Sequence, residues 1–449
     1  NKLEPSHFFE RGSWGLIKKF NFINILDPCV GTGTFLKYVI EKIHSTMKEK
    51  WKNLDLKEQK DKWNDYVDNN LIERIFGFEV MVAPYTVCHM KLGLILKNTG
   101  YRFKKNQRLN IFLNNSLEAP SKSEDLTLFK NVIAEEKILA SKIVNRAPIT
   151  IVLGNPPYKK ISSNMNSWID GILKGKELNK INYYSVDNIP IAEKKVWLQD
   201  DYVKFFALAH LLIEKNKFGI ISFISNSSFM INPTFRGLRK NLINSFNKIY
   251  LYNLNGNLKI NQSLNKNVDK NVFDIKQGVS INFFIKDNFK KDKELKYYSQ
   301  HGSREEKYKF LLQNNIFSHN YEKLKLIEPN YFFKKQNLDK IKEYEKGYKI
   351  NESMKIYTSG IVTSNDNLVI AFSKNQLKKN INFLLDKSNS ENKIIEYFGL
   401  SKKTKNKIKP ARKILENINF QNYFKEISFR PLDNRWIFYH NCLTWRTRE

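Results

Sequence analysis

The chain has 449 residues, of which 41% are hydrophobic, so it has enough apolar material for a large core and for two or three domains. The formal net charge of +31 at pH 7 favours an anionic polymer such as nucleic acid as a partner, although a general richness in Lys, Asn, Ile and Phe contributes to it. No run of about 18 uninterrupted apolar residues occurs, which excludes a membrane-spanning helix.

The three cysteines, Cys29, Cys88 and Cys442, are far apart in the sequence. No Cys-x-x-Cys pair or Cys/His cluster accompanies them, so the sequence predicts no metal site. Unpaired thiols agree with a reducing compartment, and the predicted location is the cytoplasm. The chain begins at Asn1 without a secretion signal or an initiator Met, and it is expected to be part of a longer polypeptide.

Hydrophobic periodicity predicts strands and helices in alternation over roughly the first 290 residues. The predicted strands are 22–26, 75–80, 109–113, 149–153, 218–224, 248–254 and 279–285. The predicted helices are 35–48, 83–96, 202–215 and 234–245, with further surface helices within 49–70 and 119–146. This alternation predicts an α/β, Rossmann-like, doubly wound domain over residues 1–290.

Two regions do not follow the alternation. Residues 159–195 lack periodicity and are predicted to form a long mobile loop. Beyond about residue 290 the pattern breaks into short Lys- and Tyr-rich pieces, which predicts a second domain over residues 291–449.

A glycine-bearing turn with the sequence DPCVGTGTF, at residues 27–35, connects the first predicted strand to the first predicted helix. Glycines at such a turn allow a ligand to approach the backbone closely. The turn alone is compatible with several nucleotide cofactors, but no Gly-Lys-Ser/Thr follows it, which excludes a P-loop.

A second motif, NPPY at residues 155–158, follows the fourth predicted strand. Its two prolines stiffen the backbone and remove two amide donors, so a carbonyl oxygen there is free to accept a hydrogen bond in a pocket. The asparagine supplies a second acceptor and the tyrosine supplies a flat face. By itself this motif could equally be a rigid loop at the end of a strand.

In this order the two motifs resemble motifs I and IV of the N6-adenine DNA methyltransferases, in the gamma arrangement. Further segments resemble single-chain type IIG and type ISP restriction–modification enzymes: GFEVMVAPY at 77–85, HMKLGL at 89–94, NSSF at 226–229, NPTFRGLR at 232–239, NVFDIKQGV at 271–279 and FRPLDNRW at 429–436. Residues 357–366 resemble the opening of a target-recognition domain. The resemblance therefore implies a methyltransferase domain over 1–290, followed by a linker and an incomplete target-recognition domain over 291–449.

The resemblance also implies a cofactor, S-adenosylmethionine, and the residues that bind it. Asp27 and the glycines of its turn would shape the methionine end of the pocket. Glu79 would accept hydrogen bonds from the ribose hydroxyls, which a carboxylate can do. Asn115 falls where many relatives place an Asp near the cofactor adenine. The implied cofactor-binding residues are Asp27, Pro28, Gly31, Gly33, Thr34, Phe35, Glu79 and Asn115.

Asn155, Pro156, Pro157 and Tyr158 would hold the target base. The 6-amino nitrogen of adenine is a poor nucleophile, because its lone pair is delocalised into the ring. Hydrogen bonds from its two N–H groups to Oδ1 of Asn155 and to the Pro156 carbonyl would make the nitrogen more tetrahedral. Catalysis would then depend mainly on positioning and electrostatics. The base would have to flip out of double-stranded DNA.

No Phe-Tyr-Thr-Pro-type segment is recognisable before Asp27, and Pro5-Ser6-His7-Phe8-Phe9 substitutes for it poorly. No helicase or nuclease motif is found either, so such modules would lie elsewhere in the longer polypeptide. The basic stretch at 402–413 could contact phosphates or form an ordinary solvated helix face.

Three alternatives stay open at this point. An N4-cytosine methyltransferase has the same fold and cofactor but more often carries Ser at the position of Asn155. A methyltransferase of protein glutamine side chains also uses NPPY, but the charge and the C-terminal extension argue against it. A catalytically idle DNA-binding or specificity subunit is the third possibility.

Overall fold

The first buried strand begins at Ile25, directly after Asn24, whose side chain fixes the start of the fourth strand in the chain. The side-chain Nδ2 of Asn24 donates to the carbonyl of Pro148 at 3.0 Å. The backbone carbonyl of Asn24 accepts from the backbone amides of Thr150 and Ile151. The computed structural model describes residues 23–105, 107–121, 132–158, 162, 164–176, 181–193, 195–257, 269–287, 292–337, 339–355, 360–401 and 404–447.

The chain forms two compact units, Asn1–Asn337 and Leu338–Glu449. The strands of the first unit are β1 (Ile25–Asp27), β2 (Ile75–Glu79), β3 (Ile111–Leu113), β4 (Ile151–Gly154), β5 (Ser185–Val186), β6 (Ile189–Pro190), β7 (Gly219–Asn226), β8 (Lys248–Asn255), β9 (Val279–Lys286), β10 (Glu294–Ser299) and β11 (Glu322–Lys323). Its helices are α1 (Thr34–Lys50), α2 (Leu56–Tyr66), α3 (Ile72–Arg74), α4 (Val82–Asn98), α5 (Val132–Arg146), α6 (Ser167–Leu173), α7 (Asp201–Asn216), α8 (Arg236–Ser245) and α9 (Arg304–Gln313). The predicted boundary between a methyltransferase domain over 1–290 and a linker with a target-recognition domain over 291–449 stays a prediction.

Nine of these strands form one sheet, in the order β11-β10-β8-β9-β7-β4-β1-β2-β3. Five neighbouring strands of this order, β7-β4-β1-β2-β3, are parallel, whereas β9 is antiparallel to both of its neighbours. After β1 the chain builds outward through β2 and β3, and then returns to place β4 on the other side of β1. The order therefore reverses between β1 and β4, where open α/β sheets bind their ligands.

Successive residues of the inner strands point to opposite faces of the sheet, and each face has its own apolar core. Ile25 of β1 packs in the core formed with α1, α2 and α4, while Leu26 packs in the core formed with α5 and α7. Strands buried on both faces are expected where helices cover both sides. The predicted doubly wound α/β fold is therefore confirmed.

The prediction of a long mobile loop over residues 159–195 was wrong for the described part of that segment. Helix α6 starts at its N-cap Asn166, whose side chain accepts from the amide of Ile169 at 3.0 Å, and the β5–β6 hairpin follows. Tyr183 is fully buried, and its backbone lies so close to Gly237 that a Cβ there would be 2.4 Å from the Tyr183 carbonyl oxygen. These tertiary contacts, rather than local periodicity, order the segment.

The second unit is also more regular than the sequence predicted. Its helices are α10 (Ile341–Glu345), α11 (Ile350–Ser353), α12 (Asp366–Val369), α13 (Lys374–Leu385), α14 (Glu391–Tyr397) and α15 (Lys405–Glu416), and its strands are β12 (Ile370–Ala371), β13 (Phe424–Arg430) and β14 (Asp433–Phe438). The strands form a sheet in the order β12-β14-β13. Leu377, Ile381 and Leu384 are buried at helical spacing on α13, a pattern obscured in the sequence by intervening Lys and Asn.

Part of the basic stretch at 402–413 forms α15; Lys402 and Lys403 lie outside the described residues. Arg412 donates to the carbonyls of Leu384 and Asn389, both at 2.6 Å, and thus has a structural contact. Within the described parts of the chain, no helix combines the length and apolar character needed to cross a bilayer.

Candidate functional site

The carboxyl ends of β1, β2 and β4 lie at one edge of the sheet, because the three strands are parallel neighbours. Asp27 ends β1, Glu79 ends β2, and Gly154 ends β4 directly before Asn155. The DPCVGTGTF turn and the NPPY motif therefore flank the point at which the strand order reverses. This brings together predicted residues that are more than 100 positions apart in the sequence.

Asp27 is 1% exposed, and its carboxylate is only partly paired. Oδ1 accepts a hydrogen bond from the backbone amide of Cys29 at 3.1 Å, while Oδ2 has no partner among the described residues. Burial raises the pKa of Asp27 to about 7; the contacts with Cys29 oppose this rise, and the nearby Glu79 adds to it. A buried acceptor without a donor is a place where a polar ligand group would be stabilised.

The two glycines of the turn have different surroundings. Both have left-handed backbones, with φ of +53° at Gly31 and +79° at Gly33. A Cβ at Gly33 would be 2.7 Å from Sγ of Cys88 on α4, so this glycine allows two helices to pack. A Cβ at Gly31 would have no atom of the described residues within 4 Å. Gly31 therefore borders open space, into which a ligand could approach the backbone.

Glu79 holds the turn through backbone hydrogen bonds. Its Oε2 accepts from the amide of Gly31 at 3.0 Å, and its Oε1 accepts from the amides of Val80 and Met81 at 2.9 and 2.8 Å. A carboxylate oxygen can accept about two hydrogen bonds, so Oε2 retains capacity for one more donor. The residues just after Glu79 are apolar and exposed: Val80, Met81 and Val82 have exposed fractions of 63%, 63% and 62%.

The other predicted residues of the turn have more ordinary surroundings. Pro28 is buried, and its carbonyl accepts a hydrogen bond from the hydroxyl of Ser116. Thr34 is exposed at the start of α1, and its Oγ1 accepts from Nζ of Lys91 at 3.1 Å. Phe35 is half-buried.

Asn115 follows β3 and belongs to an amide network. Its Nδ2 donates to Oδ1 of Asn164 at 3.0 Å and to Glu118 at 3.1 Å. The backbone carbonyl oxygen of Asn164 accepts a hydrogen bond from Nζ of the fully buried Lys204 at 2.7 Å. The side-chain amide of Asn164 donates to Oδ1 of Asp201. The predicted cofactor residue is thus connected to the segment that follows NPPY.

The NPPY motif presents polar groups to one side and packs on the other. Asn155 and Pro157 are exposed, whereas Pro156 is buried. The hydroxyl of Tyr158 donates to Oδ1 of Asn155 at 2.7 Å, and its ring makes an edge contact with Tyr202, with centroids 6.3 Å apart. Burial raises the pKa of Tyr158 well above its usual value, so the hydroxyl keeps its proton.

The two motifs touch at Gly154. A Cβ at this position would be 2.8 Å from Oδ1 of Asp27 and 3.2 Å from Sγ of Cys29. Only a residue without a Cβ allows the backbone of Gly154 to lie this close to Asp27 and Cys29. This close packing fixes the distance between the end of β4 and the turn after β1.

Sequence reasoning did not identify Gly154, Ser116, Asn164 or Lys204 as parts of the site. A lysine three residues after an aspartate on an otherwise apolar helix, as in α7, could have indicated a buried polar contact. Asn164 left no such signal, because its partners come from distant segments.

Two sequence families match the chain. The family described as Eco57I restriction-modification methylase matches residues 40–260, which include Glu79, Asn115 and the NPPY motif, and begins after the Asp27 turn. The family described as Type ISP C-terminal specificity domain matches residues 352–449. No curated protein matches the chain.

Solved structures with the same fold include three DNA complexes. The DrdV–DNA complex is 22% identical, with a TM-score of 0.62, and the match covers 94% of this chain and 41% of that chain. The ATP-dependent Type ISP restriction-modification enzyme LlaBIII bound to DNA is 20% identical, with a TM-score of 0.66, over 97% of this chain and 29% of that chain. A nuclease-deletion mutant of the Type ISP enzyme LlaGI, in complex with a DNA substrate mimic, is 18% identical, with a TM-score of 0.64, over 97% and 41%.

This chain spans less than half the length of each of these three proteins. At such identities the structures show only that the fold is shared, and the family matches show which residues correspond to known domains. Residues 40–260 thus match an Eco57I-type restriction–modification methylase domain, and residues 352–449 match a Type ISP C-terminal specificity domain.

Proposed function

We propose that the chain is a DNA adenine-N6 methyltransferase that takes its methyl group from S-adenosylmethionine and belongs to a restriction–modification system. The observation that carries the proposal is the position of NPPY at the end of β4, in contact with the Asp27 turn through Gly154. Asn155, Pro156, Pro157 and Tyr158 are the proposed catalytic residues. A donor site and an acceptor site on adjacent strands are what direct methyl transfer requires.

The residues of the turn fit S-adenosylmethionine. The unpaired Oδ2 of Asp27 suits the cationic methionine end, and the spare acceptor capacity of Glu79 Oε2 suits one ribose hydroxyl. The open space at Gly31 allows the close approach, and the exposed Val80, Met81 and Val82 offer an apolar surface for the adenine ring. Bound there, the cofactor supplies an electrophilic sulfonium methyl group.

The other predicted cofactor residues have supporting positions in this proposal. Thr34 and Phe35 begin the helix after the turn, and Pro28 anchors the turn through Ser116. Asn115 uses both its Nδ2 and its Oδ1 within the protein, so we assign it a role in holding the pocket.

On the acceptor side, the protein would bind the 6-amino group with two oxygens. Oδ1 of Asn155 already accepts from Tyr158, but an amide oxygen accepts two hydrogen bonds, so one N–H of the base can be added. The carbonyl oxygen of Pro156 would take the other N–H. Hydrogen bonds from both N–H groups to these oxygens would favour a tetrahedral nitrogen. Its lone pair would then be less delocalised into the ring and could point at the methyl group.

Double-stranded DNA is the proposed substrate, in agreement with the net charge of +31. We further propose that residues 291–449 contain the linker and the target-recognition region, and that nuclease or translocase modules lie elsewhere in a longer polypeptide.

The test is the transfer of labelled methyl groups from S-adenosylmethionine to unmethylated plasmid DNA, followed by nucleoside analysis. Label is expected as N6-methyladenine. It should fall by at least about 10²-fold in Asn155→Ala, as for loss of one preorganised polar group, and stay unchanged in Asn98→Ala, an exposed asparagine at the far end of α4.

Label in N4-methylcytosine, or in added protein, would overturn the adenine assignment. Absence of both methyl transfer and cofactor binding would leave a DNA-binding subunit without catalytic activity.

A further inference from the structure

Strands β13 and β14 form a hairpin whose turn protrudes from the second unit. The turn residues are Pro431 and Leu432, flanked by the pair Arg430 and Asp433, and the ladder has a bulge just before Arg430. The hairpin carries the FRPLDNRW segment at residues 429–436, and nothing in the methylase chemistry accounts for that sequence.

Leu432 at the tip is unfavourable for the stability of the isolated fold in two ways. Its side chain is completely exposed, with a relative exposure of 107%, and its φ of +62° is in the left-handed region. Gly, Asn and Asp take that conformation at little cost, whereas a bulky residue is strained there. A strained residue whose side chain is fully exposed points to a role in binding.

Beside the tip, Arg435 is fixed before any ligand arrives. Its guanidinium lies 4.2 Å from the ring centroids of both Phe372 and Phe429. Its Nε and Nη2 donate to the carboxylate of Asp433 at 2.9 and 2.7 Å. None of the described residues accepts a hydrogen bond from Nη1. A planar cation held in this way loses little conformational entropy when it binds an anion or a base edge.

We propose that the Pro431–Leu432 tip is an apolar wedge that enters double-stranded DNA, with Arg435 as the fixed cation beside it. This rests on the proposed function, since it names the DNA-distorting element of the same enzyme. Proline and leucine are among the residues that proteins insert between base steps, and arginines commonly flank them.

The net positive charge of the second unit favours DNA over another protein as the occupant. Residues 338–449 contain 22 Lys and Arg against 12 Asp and Glu. Asp433, next to the tip, is already neutralised by Arg435, and Arg430 is exposed. In this arrangement the apolar tip would contact the stacked bases, and the arginines on either side of it would contact the phosphates.

The test compares Leu432→Asn with Leu312→Asn in the whole chain. Asparagine accepts the left-handed backbone, so Leu432→Asn should unfold at the same or a higher temperature. Leu312 is a matched control, because it is 87% exposed on α9 of the first unit. A closed circular plasmid is relaxed by a topoisomerase in the presence of saturating protein without methyl donor, and the linking number is measured together with the affinity for the plasmid.

The wild-type protein and Leu312→Asn should unwind the plasmid equally. Leu432→Asn should lose at least about half of the linking-number change and bind about tenfold more weakly, the scale of one lost stacking contact. Equal unwinding and affinity in all three proteins, or no unwinding by the wild type, would overturn the proposal and leave the tip to a protein contact.

Because methyl donor is absent, this result is independent of catalysis. Failure of methyl transfer with a positive unwinding result would contradict the proposed function while supporting the wedge.

Discussion

The hydroxyl of Tyr158 donates a hydrogen bond to Oδ1 of Asn155 at 2.7 Å, so the two ends of the NPPY motif hold each other. The tyrosine side chain therefore has two surfaces with different uses. Its hydroxyl orients the amide that the proposed reaction needs as an acceptor, and its ring, which makes an edge contact with Tyr202, is the surface on which we propose that the base stacks.

Substitution of Tyr158 should separate these two uses. Tyr158→Phe keeps the ring and loses one neutral hydrogen bond, of about 1 kcal/mol, so single-turnover methyl transfer should slow about fivefold. Tyr158→Ala also loses the stacking surface, of about 1–3 kcal/mol, and should be slower still. Equal rates for the two variants, with equal thermal stability, would show that the ring has no part in binding the base.

Asp27 should make the stability of the cofactor-free protein depend on pH. Its pKa rises from 3.8 to about 7 on folding, because burial disfavours the charged form. Between these values the folded state binds more protons than the unfolded state, so the free energy of unfolding should fall as the pH increases from about 4 to 7 and level off above it. Urea unfolding of the wild type and of Asp27→Asn at pH 5 and pH 8 tests this. The asparagine variant should lack this part of the decline, and identical pH profiles would contradict the assignment.

Arg239 and Arg236 lie on the same helix and should differ greatly in their contribution to stability. Arg239 is fully buried and donates to the backbone carbonyls of Phe229, Asn232 and Asn330. Arg239→Ala would remove the donor to the carbonyls of Phe229 and Asn330, at about 1–3 kcal/mol each, whereas the Asn232 carbonyl would still accept from the amide of Phe235.

Arg236 pairs with Glu193 near the surface, and Arg236→Ala should cost less than about 1 kcal/mol. Urea unfolding midpoints of the two variants provide the comparison. Similar losses would mean that the carbonyls find other donors, such as water, when Arg239 is removed.

Much of the methylase fold could be predicted from the sequence, because its strands are buried on both faces and therefore appear as short apolar runs. The end of β1 was located within one residue and its start within three, whereas β4 and helix α1 were located within two residues at each end. Motif order then placed the predicted site residues at one edge of the sheet. Their roles in binding cofactor and base stay predictions.

The remaining features depend on contacts that a linear pattern does not contain. Asn164 joins Asn115 to Lys204 only because three distant segments meet there. The ordering of α6, and the cramped approach of Gly154 to Asp27, likewise depend on neighbours in space. In the second unit, lysines between the buried positions of α13 obscured the helical period.

The pairing of Ile25 with Ile151 and of Leu26 with Val152 has a consequence for how this protein can vary. Adjacent strands are about 4.8 Å apart whatever lies between them in the chain. The spacing between the proposed donor and acceptor sites is therefore set by backbone hydrogen bonds, and insertions between α1 and α2 or before α5 should leave it unchanged. A one-residue deletion inside β4 would instead shift every following side chain to the opposite face of the sheet and turn NPPY away from the turn. The protein can thus accept extensive change in length along its connections, but almost none along two strands of three and four residues.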